Sequence, residues 1–164
     1  MNAEPQKEHQ WLSKLIGEFT FESECSMGPD QPPMKAAGTE IVRSLGGLWT
    51  IAEGECGAAV ECSEGAGGWK SIMTLGFDPA TKRFVGTFVA TMMTHLWTYN
   101  GSLDAAERVL TLDTIGPNFT DGSLIKYQDL IEIHSDDYRT LSSQTIGSDG
   151  QWHKFMTAHY RRKK

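Results

Sequence analysis

Asp129 is the residue whose chemistry most needs explaining. Over residues 124–134, Ile125, Tyr127, Asp129, Ile131 and Ile133 alternate with Lys126, Gln128 and Glu132, the two-residue period of a strand with one dry face. An acid on a dry face has its pKa raised by desolvation unless it is paired, and it offers a polar anchor to a ligand. The competing reading is a structural acid bonded to its neighbours, with Tyr138 and Arg139 on the next segment as the expected partners. The histidines are poorly placed for metal. His153 and His159 share a parity but stand about 20 Å apart along a strand, and His9 and His134 are isolated, so no metal site is expected. Haem needs only one axial ligand, which keeps His159, or His153, open as a haem-binding alternative. There is no Gly-x-Ser-x-Gly elbow, no phosphate-binding glycine loop and no cysteine suitably placed with a histidine. No catalytic residue is therefore assigned, and a non-enzymatic role is favoured.

These residues need elements to position them. Trp11, Leu12, Leu15 and Ile16 form one apolar stripe at helical spacing, which predicts a helix over about 6–16. At Gly17 the period changes to two, with Phe19, Phe21, Ser23, Cys25 and Met27 on one face of a strand. Further strands are expected over 39–45, 48–55, 69–77, 82–92, 95–103, 108–115, 124–134, 138–146 and 151–161, with residues 28–37 as a loop. Gly46-Gly47, Asp78-Pro79-Ala80-Thr81, Ser135-Asp136-Asp137 and residues 147–150 supply turns between them. Links this short require antiparallel neighbours, and closing the sheet removes its two exposed edges. The expected architecture is all-β: one domain over 1–164, a ten-stranded up-and-down barrel over about 17–162, with the helix plugging one end. A barrel of this strand number has room for a small ligand. An apolar or amphipathic molecule in the lumen would meet Phe21, Trp49, Met73, Phe88, Trp97, Tyr127 and Met156, with Asp129 or a Tyr hydroxyl setting its orientation.

Composition narrows the partners. The 164 residues are 39% hydrophobic and 22% charged with a net charge of −6, ordinary for one globular core and wrong for binding phosphate backbones. The basic end, Arg161 to Lys164, reads as a solvated tail. No long apolar run or apolar leader is present, so a cytoplasmic protein without a membrane partner is expected. Three cysteines fit a reducing compartment: Cys25 reads as a small buried hydrophobe, while Cys56 and Cys62 flank a glycine-rich loop and are able to meet. Met92-Met93 and residues 95–99 carry apolar side chains on both parities, either a strand covered on two sides or a dimer contact, so monomer and homodimer both stay open.

The helix followed by Gly17-Glu18-Phe19 resembles the opening of calycins, with Phe19 where those carry Trp. The succession His9-x-x-Leu12-x-x-Leu15-x-Gly17, Leu45-Gly46-Gly47, Thr74-Leu75-Gly76-Phe77-Asp78-Pro79 and Arg83-Phe84-Val85-Gly86-Thr87, continuing into 152–161, resembles a bacterial family of uncharacterised proteins with a lipocalin-like barrel. That resemblance implies a fold and transfers no activity. A more distant likeness to nitrobindin-type haem barrels, with a ligating histidine near the C-terminus, would place that role at His159. Three functions follow as expectations: a luminal small-molecule binder, a haem protein, or a dimerising interaction module.

Overall fold

The computed structural model describes residues 3–57 and 68–164. One helix, α1 (Lys7–Ser13), precedes ten strands: β1 (Gly17–Cys25), β2 (Met34–Leu45), β3 (Trp49–Cys56), β4 (Lys70–Asp78), β5 (Arg83–Ala90), β6 (Trp97–Leu103), β7 (Val109–Pro117), β8 (Leu124–Ser135), β9 (Tyr138–Ile146) and β10 (Trp152–Arg162). Each strand pairs antiparallel with its sequence neighbours, and β1 closes on β10, giving the expected up-and-down barrel.

Two boundaries differ from expectation. β2 starts at Met34, inside the stretch read as a loop, because residues 34–37 pair with the far end of β1, Glu22 to Cys25; the Pro32-Pro33 pair only marks where the ladder begins. The α-helix is shorter than its apolar stripe. After Ser13 the chain continues through i→i+3 bonds, Lys14 N–H to Trp11 O, Leu15 N–H to Leu12 O and Ile16 N–H to Ser13 O, so Leu15 still points with Trp11 and Leu12 into the core. Gly17 then turns the chain into β1 at φ +142°, and a Cβ there would lie 2.1 Å from the Arg162 guanidinium. That guanidinium donates to Ile16 O and Lys14 O, so the glycine lets the last strand tie down the end of the plug.

Register sorts every strand into an inner and an outer face. At the plugged end Trp11, Leu12, Leu15, Phe19, Val42, Leu75, Phe84, Leu110, Leu112 and Ile131 form a closed core. The indole of Trp11 donates to Glu107 O on the β6–β7 turn, which fixes the helix across the opening. Outward-facing positions of β1 are Glu18, Thr20, Glu22 and Glu24, all exposed. A row of three carboxylates on the outer face of β1 is unlike the apolar outer band of a membrane-spanning barrel. Among the described residues no helix is long and apolar enough to cross a membrane.

Candidate functional site

β8 carries Asp129 inward, as its period required. Its expected partners do not reach it. Arg139 stands opposite Ile133, four residues from Asp129 along β8, about 13 Å at strand rise, and Tyr138 stacks on His134 and His159 outside the inner face. Instead, Tyr99 Oη donates to Asp129 Oδ2 at 2.5 Å and Ser143 Oγ donates to Oδ1 at 2.6 Å. Ser143 is the direct cross-strand partner of Asp129, while Tyr99 reaches over from β6, past β7. No cation among the described residues pairs with Asp129. Burial pushes its carboxyl above the usual range, against the downward pull of the two hydroxyls. Tyr99 is driven well above its ordinary value by burial and by the neighbouring acid, so it remains a donor.

A second polar unit lies nearer the plug. The Arg139 guanidinium donates from Nη2 to Glu40 Oε1 and sits 4.1 Å from the Phe19 ring centroid and 4.6 Å from that of Tyr160. Arg139 Nη1 is buried with no hydrogen-bond partner. Glu40 is raised by burial and pulled back down by Arg139. The phenol of Tyr160 is pushed far up by burial and by Glu40. This pair neutralises itself, leaving Asp129 as the interior acid that no cation offsets.

Away from the plug the inner wall is largely apolar. Phe21 stacks on Trp69 at 5.7 Å, and Trp97 meets Tyr127 edge-on at 5.1 Å. Gly116 makes room for the Trp97 ring, which a Cβ there would approach to 2.1 Å. Phe21, Trp97 and Tyr127 are buried, whereas Met73, Phe88, Asp129, Leu141 and Met156 on the same inner surface keep partial exposure. This half of the inner face thus mixes buried aromatic side chains with partly exposed ones. Of the eight residues named from sequence as luminal, Phe21, Met73, Phe88, Trp97, Tyr127, Asp129 and Met156 lie on the inner face, as their register shows.

Trp49 does not. It is 40% exposed on the outer face and lies over Gly76, where a Cβ would come within 2.5 Å of its ring. Thr50, Ala52, Gly54 and Cys56 fill the inner positions of β3; large inward side chains on facing strands leave space there only for small ones. His159 is also outward: it is exposed, opposite Glu22 of β1, and its Nδ1 is hydrogen-bonded to the Tyr138 hydroxyl at 2.7 Å. His153 is exposed and paired with Asp149 at 2.8 Å. Neither histidine faces a haem held in the lumen, so the residues present do not fit that group. No cluster suited to a metal ion occurs among the described residues. Cys25 is a free, half-buried thiol, and the Cys56–Cys62 pairing raised above falls outside the described residues at Cys62.

Tyr99, Ser143, Glu40 and Tyr160 were not singled out by their types. Only the closed register brings them together.

Comparison with known proteins bears on the fold. The crystal structure of Rv2717c from M. tuberculosis superposes with a TM-score of 0.61 at 13% identity, covering 98% of this chain and 100% of that one. A redesigned beta barrel matches over 93% of this chain and 94% of its own at 10% identity, with a TM-score of 0.48. No curated protein matches. Residues 4–162 match the family described as "Protein of unknown function (DUF1579)"; the chain belongs to that family, whose function is unknown.

Proposed function

We propose that the open half of the lumen binds a small amphipathic molecule, with its apolar part against Phe21, Met73, Phe88, Trp97, Tyr127 and Met156 and its polar end toward Asp129. One observation carries this reading: a deep inward-facing acid, held by two hydroxyl donors and offset by no cation, lies below an apolar wall that remains partly exposed. Burying apolar ligand surface against that wall supplies affinity, about 25 cal/mol per Å², and the acid supplies orientation.

The same geometry favours one headgroup. Asp129 accepts hydrogen bonds, so a second carboxylate placed beside it would set two acids against each other in a low dielectric, which raises the energy of whichever is ionised. An alcohol or an amine donates instead. The test uses three ten-carbon probes, n-decanol, n-decylamine and decanoate, titrated at neutral pH by isothermal calorimetry. The expected order is decanol and decylamine ahead of decanoate, with Asp129→Leu abolishing the preference. Equal binding of all three, or decanoate binding best, refutes the assignment of Asp129, and no binding of any refutes the luminal site.

A further inference from the structure

The hydrogen bonds around Asp129 leave acceptors unused. Tyr99 and Ser143 each donate to one of its two oxygens, and a carboxylate has about four acceptor sites, so each oxygen keeps one. The cations of the barrel are committed elsewhere: Arg139 donates to Glu40, and Arg162 holds the plug carbonyls Ile16 O and Lys14 O and lies 3.7 Å from Asp137. A further acceptor stands beside Asp129. Thr114 on the inner face of β7 is 6% exposed, and its Oγ1 is buried with no hydrogen-bond partner. Leu112 pairs with Asp129 and Thr114 with Tyr127, so Thr114 and Asp129 are diagonal neighbours, about 7–8 Å apart at Cα and closer at Cβ. A nitrogen placed between them is within hydrogen-bond reach of both. Asn100 pairs with Asp113, which sets Tyr99 on the other side of Thr114. The second unpartnered buried side-chain atom, Arg139 Nη1, is a donor and lies toward the plug.

We infer that the headgroup this lumen takes is a protonated primary amine, held by Asp129 and Thr114 beside the rings of Trp97 and Tyr127. The inference rests on the luminal reading and narrows it from any hydrogen-bond donor to an organic cation. An alcohol brings one donor, whereas a primary ammonium brings three, matching the two sites left on Asp129 and the one at Thr114. Hydrogen bonds between ionised partners are roughly twice as strong as neutral ones. Taking an ammonium out of water is costly, and an opposite charge in good geometry is what offsets that cost. Trp97 and Tyr127 are the next inner residues after Tyr99 and Asp129 on β6 and β8, and they meet edge-on at 5.1 Å. Their π-systems attract an ammonium electrostatically, where an uncharged headgroup would only pack against them. The two hydroxyls on Asp129 already favour its ionised form against the effect of burial, and a bound cation acts in the same direction.

Isothermal calorimetry of the full chain with n-decylamine and n-decanol at neutral pH tests this. The net charge of −6 draws any cation to the protein surface, so the titrations are run at physiological salt, which screens exposed charges. The expected result is one saturable site at which decylamine binds about tenfold or more tightly than decanol. Asp129→Asn, which keeps the shape and removes the charge, erases that excess. Thr114→Val, which keeps the shape and removes the acceptor, weakens decylamine several-fold, and Thr114→Ser, which restores the hydroxyl, recovers it. Circular dichroism checks that the three variants stay folded. Decanol binding as tightly as decylamine overturns the inference and leaves the luminal reading standing. So does an excess for decylamine that survives Asp129→Asn, or equal decylamine binding by the Thr114→Val and Thr114→Ser variants. Binding of neither probe removes the luminal reading and this inference together.

Discussion

Replacing Arg139 with Met isolates the buried pair at the heart of the barrel. The Arg139 and Glu40 side chains are 9% and 13% exposed, so the Glu40 carboxylate left behind has neither its cation nor ready access to water. Removing one partner of such a pair costs about 3–5 kcal/mol, against a total stability of roughly 5–15 kcal/mol for a domain. For a chain of this size that is a fall in Tm of roughly 6–20 °C. The pH dependence separates this cause from lost packing. Burial already raises Glu40, and Arg139 is what holds it down; without Arg139 its folded pKa rises further. A carboxyl with a raised folded pKa contributes stability below its unfolded value, about 4.3, and loses it as pH rises through the folded value. The deficit of Arg139→Met relative to wild type is therefore largest at neutral pH and shrinks on acidification toward pH ~4. Adding Glu40→Leu recovers most of the loss at neutral pH. Urea denaturation of the wild type, the single variant and the double variant at several pH values measures all of this. A cost below ~1 kcal/mol at neutral pH, or a deficit unchanged by acid, refutes the reasoning.

Asp129→Asn should stabilise the protein at neutral pH by about 1.4 kcal/mol for each unit by which folding raises the acid's pKa; the gain disappears on acidification into the ordinary carboxyl range, as urea denaturation against pH will show. Gly116→Ala forces the Trp97 ring aside and should cost about 1–3 kcal/mol, with a changed near-ultraviolet dichroism spectrum. Leu12→Ala removes a fully buried plug residue and should cost about 2–5 kcal/mol in the same denaturation assay.

The barrel was legible because the strand period, the turn residues and the single helical stripe all agree. The site was only partly so, and the β8–β9 hairpin shows why. Ser135 pairs with Tyr138, but the register shifts by one before Ile133 meets Arg139. An unshifted ladder would set Asp129 opposite Gln144 and turn Arg139 outward. The bulge moves Arg139, Leu141 and Ser143 to the inner face together, because side chains alternate with a period of two, and no residue type announced it. Tyr99 reaches Asp129 across an intervening strand, and Glu40 reaches Arg139 past β1 and β10, contacts that exist only after closure. Trp49 was misplaced for another reason. β3 has apolar candidates on both parities, and hydrophobicity favours Trp49 and Ile51, whereas the limited internal volume selects Thr50 and Ala52.

The luminal site is tested most directly by amide and indole chemical-shift mapping of the isotopically labelled protein during titration with n-decanol. Saturable shifts at the Trp97 indole and at Tyr99, Met73, Ser143 and Met156, with Trp49 and Leu12 unmoved, are the predicted result. Shifts confined to the outer face, or none up to the solubility limit of the probe, would contradict it.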